Sequence, residues 1–253
     1  MCFKWPFRAY QIVFAFLAVT LVVMAQPPEA FVVERAPIPA SIHANREMVL
    51  WMLSPQKHDR GVFSGLDSYS CPDWTLGSFY SGPTRISVID TATKRIVNTV
   101  KLTYDQAKED SFDIPYRIVG NLFYAVPGHN KDSEGKPALL SLRDLNGDGL
   151  PLETAFYEAL ACMGLPTRLI GYSVKQDRVI QYEVELRQRG EKTETMRWFD
   201  YLFAEKPQSP GHWSYTIDYS GRGGCTDSYQ VRYDQAREKF FATRSQSHCP
   251  PDP

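Results

Sequence analysis

The chain has 253 residues, with 28 Lys and Arg against 29 Asp and Glu and a formal net charge of −1. Acids and bases are interleaved, which excludes the basic face that a nucleic-acid partner or an acidic membrane surface would require. The length allows one sizeable domain with a real core, and an aromatic share of 13% fits strands half-buried on a sheet.

Residues 1–25 carry Lys4 and Arg8, then an apolar run from Ile12 to Met24 broken only by Thr20, then Ala25. A basic start, an apolar core and a small residue at the end describe a cleavable export signal, with the cut expected before Gln26. The protein is therefore expected to be periplasmic or extracellular. A retained anchor is the other reading, since the uncharged stretch from Ala9 to Ala25 sits at the short limit for a bilayer span. Membrane contact is expected only through that segment left uncleaved. Cys2 lies ahead of the apolar core, where a lipid-anchor cysteine would not be.

Residues 26–42 contain Pro27, Pro28, Pro37 and Pro39 and read as an extended lead-in. A single β-rich domain is expected over 43–249, with a tail at 250–253. Strand texture covers Val49–Leu53, Arg85–Asp90, Ile96–Leu102, Tyr116–Val126, Leu139–Arg143, Arg168–Val174, Val179–Leu186, Met196–Ala204 and Trp213–Tyr219. A last hairpin runs Tyr229–Asp234 and back through Lys239–Arg244, about Gln235–Glu238.

Three hairpins share a look. Ile86–Asp90 returns through Lys94–Val97, Ile170–Ser173 through Asp177–Ile180, and Val231–Asp234 through Glu238–Phe241. Each turns through a short polar bridge and re-enters with a basic residue. The first resembles the strand pair of β-propeller repeats that read V-I-D-T-x-T-x-K. Spacings of about 84 and 60 residues between the turns are not the fixed period of a regular repeat array. The expected fold is mainly β, a two-sheet sandwich or an irregular propeller-like array of antiparallel hairpins.

Residues 150–164 carry two patterns. Leu152, Ala155, Phe156, Ala159, Leu160 and Met163 recur at helical spacing between Pro151 and Gly164, yet Ala155, Tyr157 and Ala159 also alternate with their neighbours as a strand would. The strand is preferred because strands flank it on both sides.

Past the signal there are four cysteines: Cys71, Cys162, Cys225 and Cys249. An even number in an exported chain implies two disulfides. Folding the last hairpin about its turn brings Cys225 opposite Cys249, which leaves Cys71 for Cys162. Sequence alone permits three connectivities.

Asp144-Leu145-Asn146-Gly147-Asp148-Gly149 places three oxygen-bearing side chains at alternate positions around a glycine-forced turn. A hard divalent cation seeks six to eight oxygens, and such a curl supplies several at once. Calcium is the expected cofactor. Its expected ligands are the side chains of Asp144, Asn146 and Asp148, the Leu150 carbonyl and the Glu153 carboxylate, with Gly149 at positive φ. Empty, the loop would repel itself. A metal-free turn rich in Asp and Asn is the competing reading.

The segment Leu142–Gly149 resembles the loop of FG-GAP or VCBS repeats, the integrin-α-like propeller blades that hold calcium. The likeness covers about 45 residues and occurs once. Those repeats place an acid at loop position 9, which here is Leu152, with Glu153 one step later. An EF-hand fits less well, because its closing acid would fall on Ala155.

No catalytic or cofactor-binding residue is assigned. The chain lacks GxSxG and HExxH, and His43, His58, His129, His212 and His248 are scattered in polar contexts. Asp67, Asp73 and Asp132 are arbitrary choices for a carboxylate pair. Ser220–Gly224 precedes a β run instead of a helix, so it lacks the dipole of a phosphate loop. Trp51, Trp74, Tyr80, Trp198, Tyr201, Trp213 and Tyr215 could form a stacking platform if they shared an exposed face, although a β domain needs most of them inside. The expected function is a secreted or periplasmic calcium-binding β-protein with a structural or binding role, its partner a protein or a glycan. The rival is a hydrolase acting on an envelope or extracellular polymer.

Overall fold

Alternation of apolar and polar residues dictates the architecture, since strands with two apolar faces must lie between other layers. The computed structural model describes residues 30–58, 75–76, 79–104, 110–114, 117–118, 139–157, 166–188, 193–197, 199–200, 202, 207–222 and 224–249. The strands run in chain order as β1 Ala30–Pro37, β2 Arg46–Leu53, β3 Gln56–His58, β4 Thr75–Leu76, β5 Phe79–Ser81, β6 Thr84–Asp90, β7 Arg95–Leu102, β8 Arg117–Ile118 and β9 Glu153–Tyr157. They continue as β10 Pro166–Ser173, β11 Arg178–Gln181, β12 Val184–Gln188, β13 Glu194–Met196, β14 Phe199–Asp200, β15 His212–Asp218, β16 Thr226–Asp234 and β17 Lys239–Ser247. A short helix, α1 Ala40–His43, turns the chain between β1 and β2.

The protein is mainly β, built from several antiparallel sheets with no closed barrel among the described residues. A first sheet is ordered β1-β2-β6-β7. A middle sheet is ordered β11-β10-β14, with β9 also paired to β10, and a last sheet is ordered β13-β12-β17-β16-β15. The ladders β3-β5 and β4-β8 are small. Within the last sheet β12 and β17 are parallel.

The middle sheet is apolar on both faces. Phe156, Ile170 and Tyr172 pack on Met48, Leu50, Met52, Ile86 and Val88 of the first sheet. Ala155 and Leu169 face Val184, Leu186, Trp213, Val231 and Phe240 of the last. Three layers result, with two cores between them.

The three look-alike hairpins are equivalent in geometry. Their turns end at Lys94, Asp177 and Glu238, with φ of 59°, 48° and 51°. In each, the residue before the turn accepts from an amide three residues on: Thr93 N–H to Asp90, Gln176 N–H to Ser173, Arg237 N–H to Asp234. The turns are also tied to one another. Arg46 donates to both oxygens of Asp177 at 2.8 and 2.6 Å and to Asp90 at 2.7 Å, which holds the Asp177 carboxyl down to about 2. Gln176 donates to Glu238 at 2.7 Å and Lys175 to the Ala236 carbonyl at 2.9 Å. On the flank of the first and middle sheets, the Asn98 amide donates to Val179 O and accepts from Val179 N, a side chain standing in for one rung of a ladder.

Several expectations are corrected. Ala30–Pro37, read as a lead-in, is a strand paired along its length with β2, and Ala36 and Ile38 are buried in the core. Its proline is tolerated because β1 is an edge strand. Leu139–Arg143 is not a strand: Leu139 and Leu140 are buried without a ladder, and Leu139 N–H donates to Glu34. Val179–Leu186 breaks at Tyr182 and Glu183, where the chain leaves the middle sheet to run parallel to β17. The preferred strand reading holds at Glu153–Tyr157, while 158–165 lie outside the described residues, as does Tyr116–Val126 apart from 117–118.

Cys225 and Cys249 form the expected disulfide. Cys71 and Cys162 lie outside the described residues, as do the export segment 1–25 and the tail 250–253. Trp51, Trp213 and Tyr215 are buried and Tyr80 packs against the core, so these four make no exposed platform. Trp74, Trp198, Tyr201 and His129 are outside the described residues. No described helix is long and apolar enough to cross a membrane.

Candidate metal centre

Arg143 and Glu153 exchange two backbone hydrogen bonds, at 2.8 and 3.0 Å, and so close the segment between them into a loop. Inside it, the acidic and amide side chains curl the backbone. Asp144 Oδ1 accepts from Gly147 N at 2.7 Å and Oδ2 from Gly149 N at 3.0 Å. Asn146 Oδ1 accepts from Asp148 N, and Asp148 Oδ1 from Leu150 N, both at 2.9 Å. Gly149 takes the expected positive φ, +89°, and Gly147 takes +78°. The Leu150 carbonyl accepts from Leu152 N at 3.0 Å.

Glu153, at the start of β9, lies beneath this curl and is only 1% exposed. Its Oε2 accepts from Leu145 N and its Oε1 from Asn146 Nδ2 and the Tyr182 hydroxyl, all at 3.1 Å. Space for it comes from Gly171 on β10, where a Cβ would meet Glu153 Cγ and a Tyr182 ring carbon at 3.0 Å. Burial pushes the Glu153 carboxyl up to about 8. The Leu145 amide opposes that shift, while the neighbouring Asp148 and Asp144 carboxylates add to it. Burial and the Glu153 charge likewise push the Tyr182 hydroxyl well up.

Among the described residues, Asp144, Asp148 and Glu153 have no basic ion-pair partner. Their oxygens are satisfied by N–H and O–H donors. Asn146 Nδ2 lies between Asp148 Oδ2, at 3.2 Å, and Glu153 Oε1. Among the described residues no group of three or more His, Cys, Asp or Glu side chains forms a ready cage for an ion. The donor set still fits a hard cation in kind, because a carboxylate oxygen that accepts one N–H keeps a further lone pair. Asp144, Asn146, Asp148 and Glu153 would supply the oxygens that hold such an ion, in place of the hydrogen bonds that Asn146 Nδ2 donates to Asp148 and Glu153.

Comparison with protein-family models, with curated proteins and with solved structures finds no match.

The five expected positions lie on or just beneath one loop; Asn146 links Asp148 to Glu153, while the Asp144 oxygens turn onto the loop's own amides. Sequence reasoning missed Gly171 on β10, Tyr182 between β11 and β12, and Gly211 just before β15, where a Cβ would meet the Asn146 carbonyl at 3.3 Å; all three lie against the loop from distant parts of the chain and carry no local signal. His43, His58, His212 and His248 are dispersed. His58 Nε2 lies 2.7 Å from Ser81 Oγ, a diagonal contact across the β3-β5 ladder.

A metal-free consequence follows from Glu153. Its folded-state value lies above the ordinary carboxylate value of 4.5, so the folded protein holds a proton that the unfolded chain releases. Stability from this group is present below pH 4.5 and declines as pH rises toward about 8. In EGTA, melting temperature should fall across that window, and Glu153→Gln should flatten the fall. Parallel curves for parent and variant would show that Glu153 does not titrate there.

Proposed function

We propose that the protein is an exported, calcium-binding β-protein with a structural or binding role, and that the ion sits in the Asp144–Glu153 loop. The observation that carries this reading is a buried glutamate beside two aspartates, with no basic ion-pair partner among the described residues, on a loop already curled by its own acids. Such a cluster is self-repelling. A divalent cation would relieve the repulsion, lower the cost of the buried Glu153 charge and stabilise the folded state by mass action. Asp144, Asn146 and Asp148 would present side-chain oxygens, Leu150 its carbonyl and Glu153 its carboxylate. The signal-like residues 1–25 support export, where calcium is millimolar and weak sites fill.

Adding calcium to metal-free protein should raise the melting temperature, and EGTA should reverse the gain. Asp144→Ala and Asp148→Ala should each abolish the calcium-dependent part. A parent melting temperature unmoved by calcium and EGTA would reject the reading.

The hydrolase is retained as a second reading on the Ser81–His58 contact alone, a nucleophile–base distance on a short ladder. Labelling of Ser81 by a fluorophosphonate probe that is lost in His58→Ala would favour it, and no labelling would dismiss it.

A further inference from the structure

A cleft of about 600 Å³ lies between the flank of the first sheet and the middle sheet, lined among others by Lys101, Tyr104, Arg168, Arg178, Gln181 and Arg197. The volume is that of a small-molecule site. We propose that it binds a small multiply charged oxyanion, a ligand carrying phosphate or carboxylate groups.

The fold assembles the charge from three sheets. Lys101 comes from β7, Arg168 and Arg178 from β10 and β11, and Arg197 follows β13. The Asn98 clamp on Val179 fixes β11 beside β7 and so sets the width of the cleft. Arg168 is 3% exposed, a guanidinium held within the protein. Lys101 and Arg197 have side chains 65% and 63% exposed at the mouth of the cleft, each paired with one acid. Among the described residues Arg178 makes no ion pair.

The carboxylates nearby do not cancel this charge. Glu183 lines the cleft and lies 3.6 Å from Arg197 Nε, but its other oxygen is 3.4 Å from Lys239 Nζ. Asp110 is held by Arg85 on both oxygens and accepts from Lys101 at 3.3 Å. Asp113 accepts from the Tyr104 hydroxyl at 2.7 Å. Each acid is engaged, and Glu183 and Asp110 are each shared with a cation outside the cleft. Among the described residues Arg178 is therefore left with no acid opposite it, and planar guanidinium donors match the geometry of phosphate and carboxylate oxygens. Gln181, whose Nε2 donates to the Arg197 carbonyl at 3.1 Å, steadies the last of them. Val100 and Ile180 lie beside the charges in the lining.

The test is titration calorimetry at low ionic strength with two probes, inorganic pyrophosphate and citrate. Calcium is stripped beforehand on a chelating resin, which leaves no competing polycarboxylate in solution, so that neither probe acts by removing calcium and the result does not depend on the metal loop. Saturable binding of at least one probe is expected, weakened by added salt. Affinity should fall by about tenfold or more in Arg178→Gln/Arg197→Gln, both being surface positions, and should be unchanged in Arg35→Gln, whose side chain pairs with Glu47 away from the cleft. Preference for pyrophosphate would assign phosphate chemistry and preference for citrate would assign carboxylates. No saturable binding of either probe, or equal affinity in the double variant, would overturn the proposal.

Discussion

Gly147→Ala should destabilise the protein by about 3 kcal/mol or more, through strain and overpacking together. A Cβ at this position would lie 1.9 Å from the Gly211 amide nitrogen and 2.7 Å from Gly211 Cα and the Pro210 carbonyl carbon. These are backbone atoms and cannot swing aside. Gly211 is itself fixed, since its carbonyl accepts from Tyr233 N at 2.8 Å. The loop must therefore lift away from β15, and the Asp144 bond to Gly147 N would lengthen with it. Gly149→Ala is the control: φ is +89°, yet nothing lies within 4 Å of the added carbon, so only the backbone cost of about 1 kcal/mol applies. Denaturant unfolding of both variants in EGTA measures the difference. Equal losses would mean that the loop does not dock on Gly211.

Replacing Cys225 and Cys249 together by Ser should cost about 3 kcal/mol, the value for closing a loop of this length in the unfolded chain. The two residues are 24 apart and clip the open end of the β16–β17 hairpin, just beyond the Thr226–Ser247 pair. The closed end keeps its turn, so the loss should concentrate at the free end. Amide exchange should accelerate at Thr226 and Ser228 and remain slow at Val231 and Tyr233. A loss below about 1 kcal/mol, or uniform exchange along the hairpin, would show that the bridge does not constrain this end.

Much of the fold was legible because the strand period is two and the relevant runs are long. Met48, Leu50 and Met52 alternate with Val49 and Trp51 as a sheet with two apolar faces requires. The three equivalent hairpins were visible in their polar bridges, because the side chain that caps each turn is local to it. β1 was obscured by Pro37 at its end and by the prolines on either side of it, the one within the strand being tolerated at an edge position. Leu139 and Leu140 read as a strand because burial and pairing look alike in one dimension. The break at Tyr182 was hidden because a parallel partner, β17, lies far along the chain.

At the candidate site the residue types around the curl could be named from spacing alone, since Asp144, Asn146 and Asp148 each bond an amide within five residues. The burial of Glu153 could not. It depends on Tyr182 and Gly171, brought beneath the loop by β10 and the turn into β12. The basic cleft was equally invisible, its cations being dispersed among ordinary strand residues.

By itself the sequence determined strand-rich content, turn chemistry and the curl of the Asp144–Gly149 loop, and it favoured Cys225–Cys249 among three connectivities. All of these rest on interactions among near neighbours or on a single hairpin. Only the tertiary structure decided that three sheets stack, that Glu153 is sealed from water and that four cations from separate strands face one cleft. Dielectric environment and charge proximity belong to the packed state, and no local pattern encodes them.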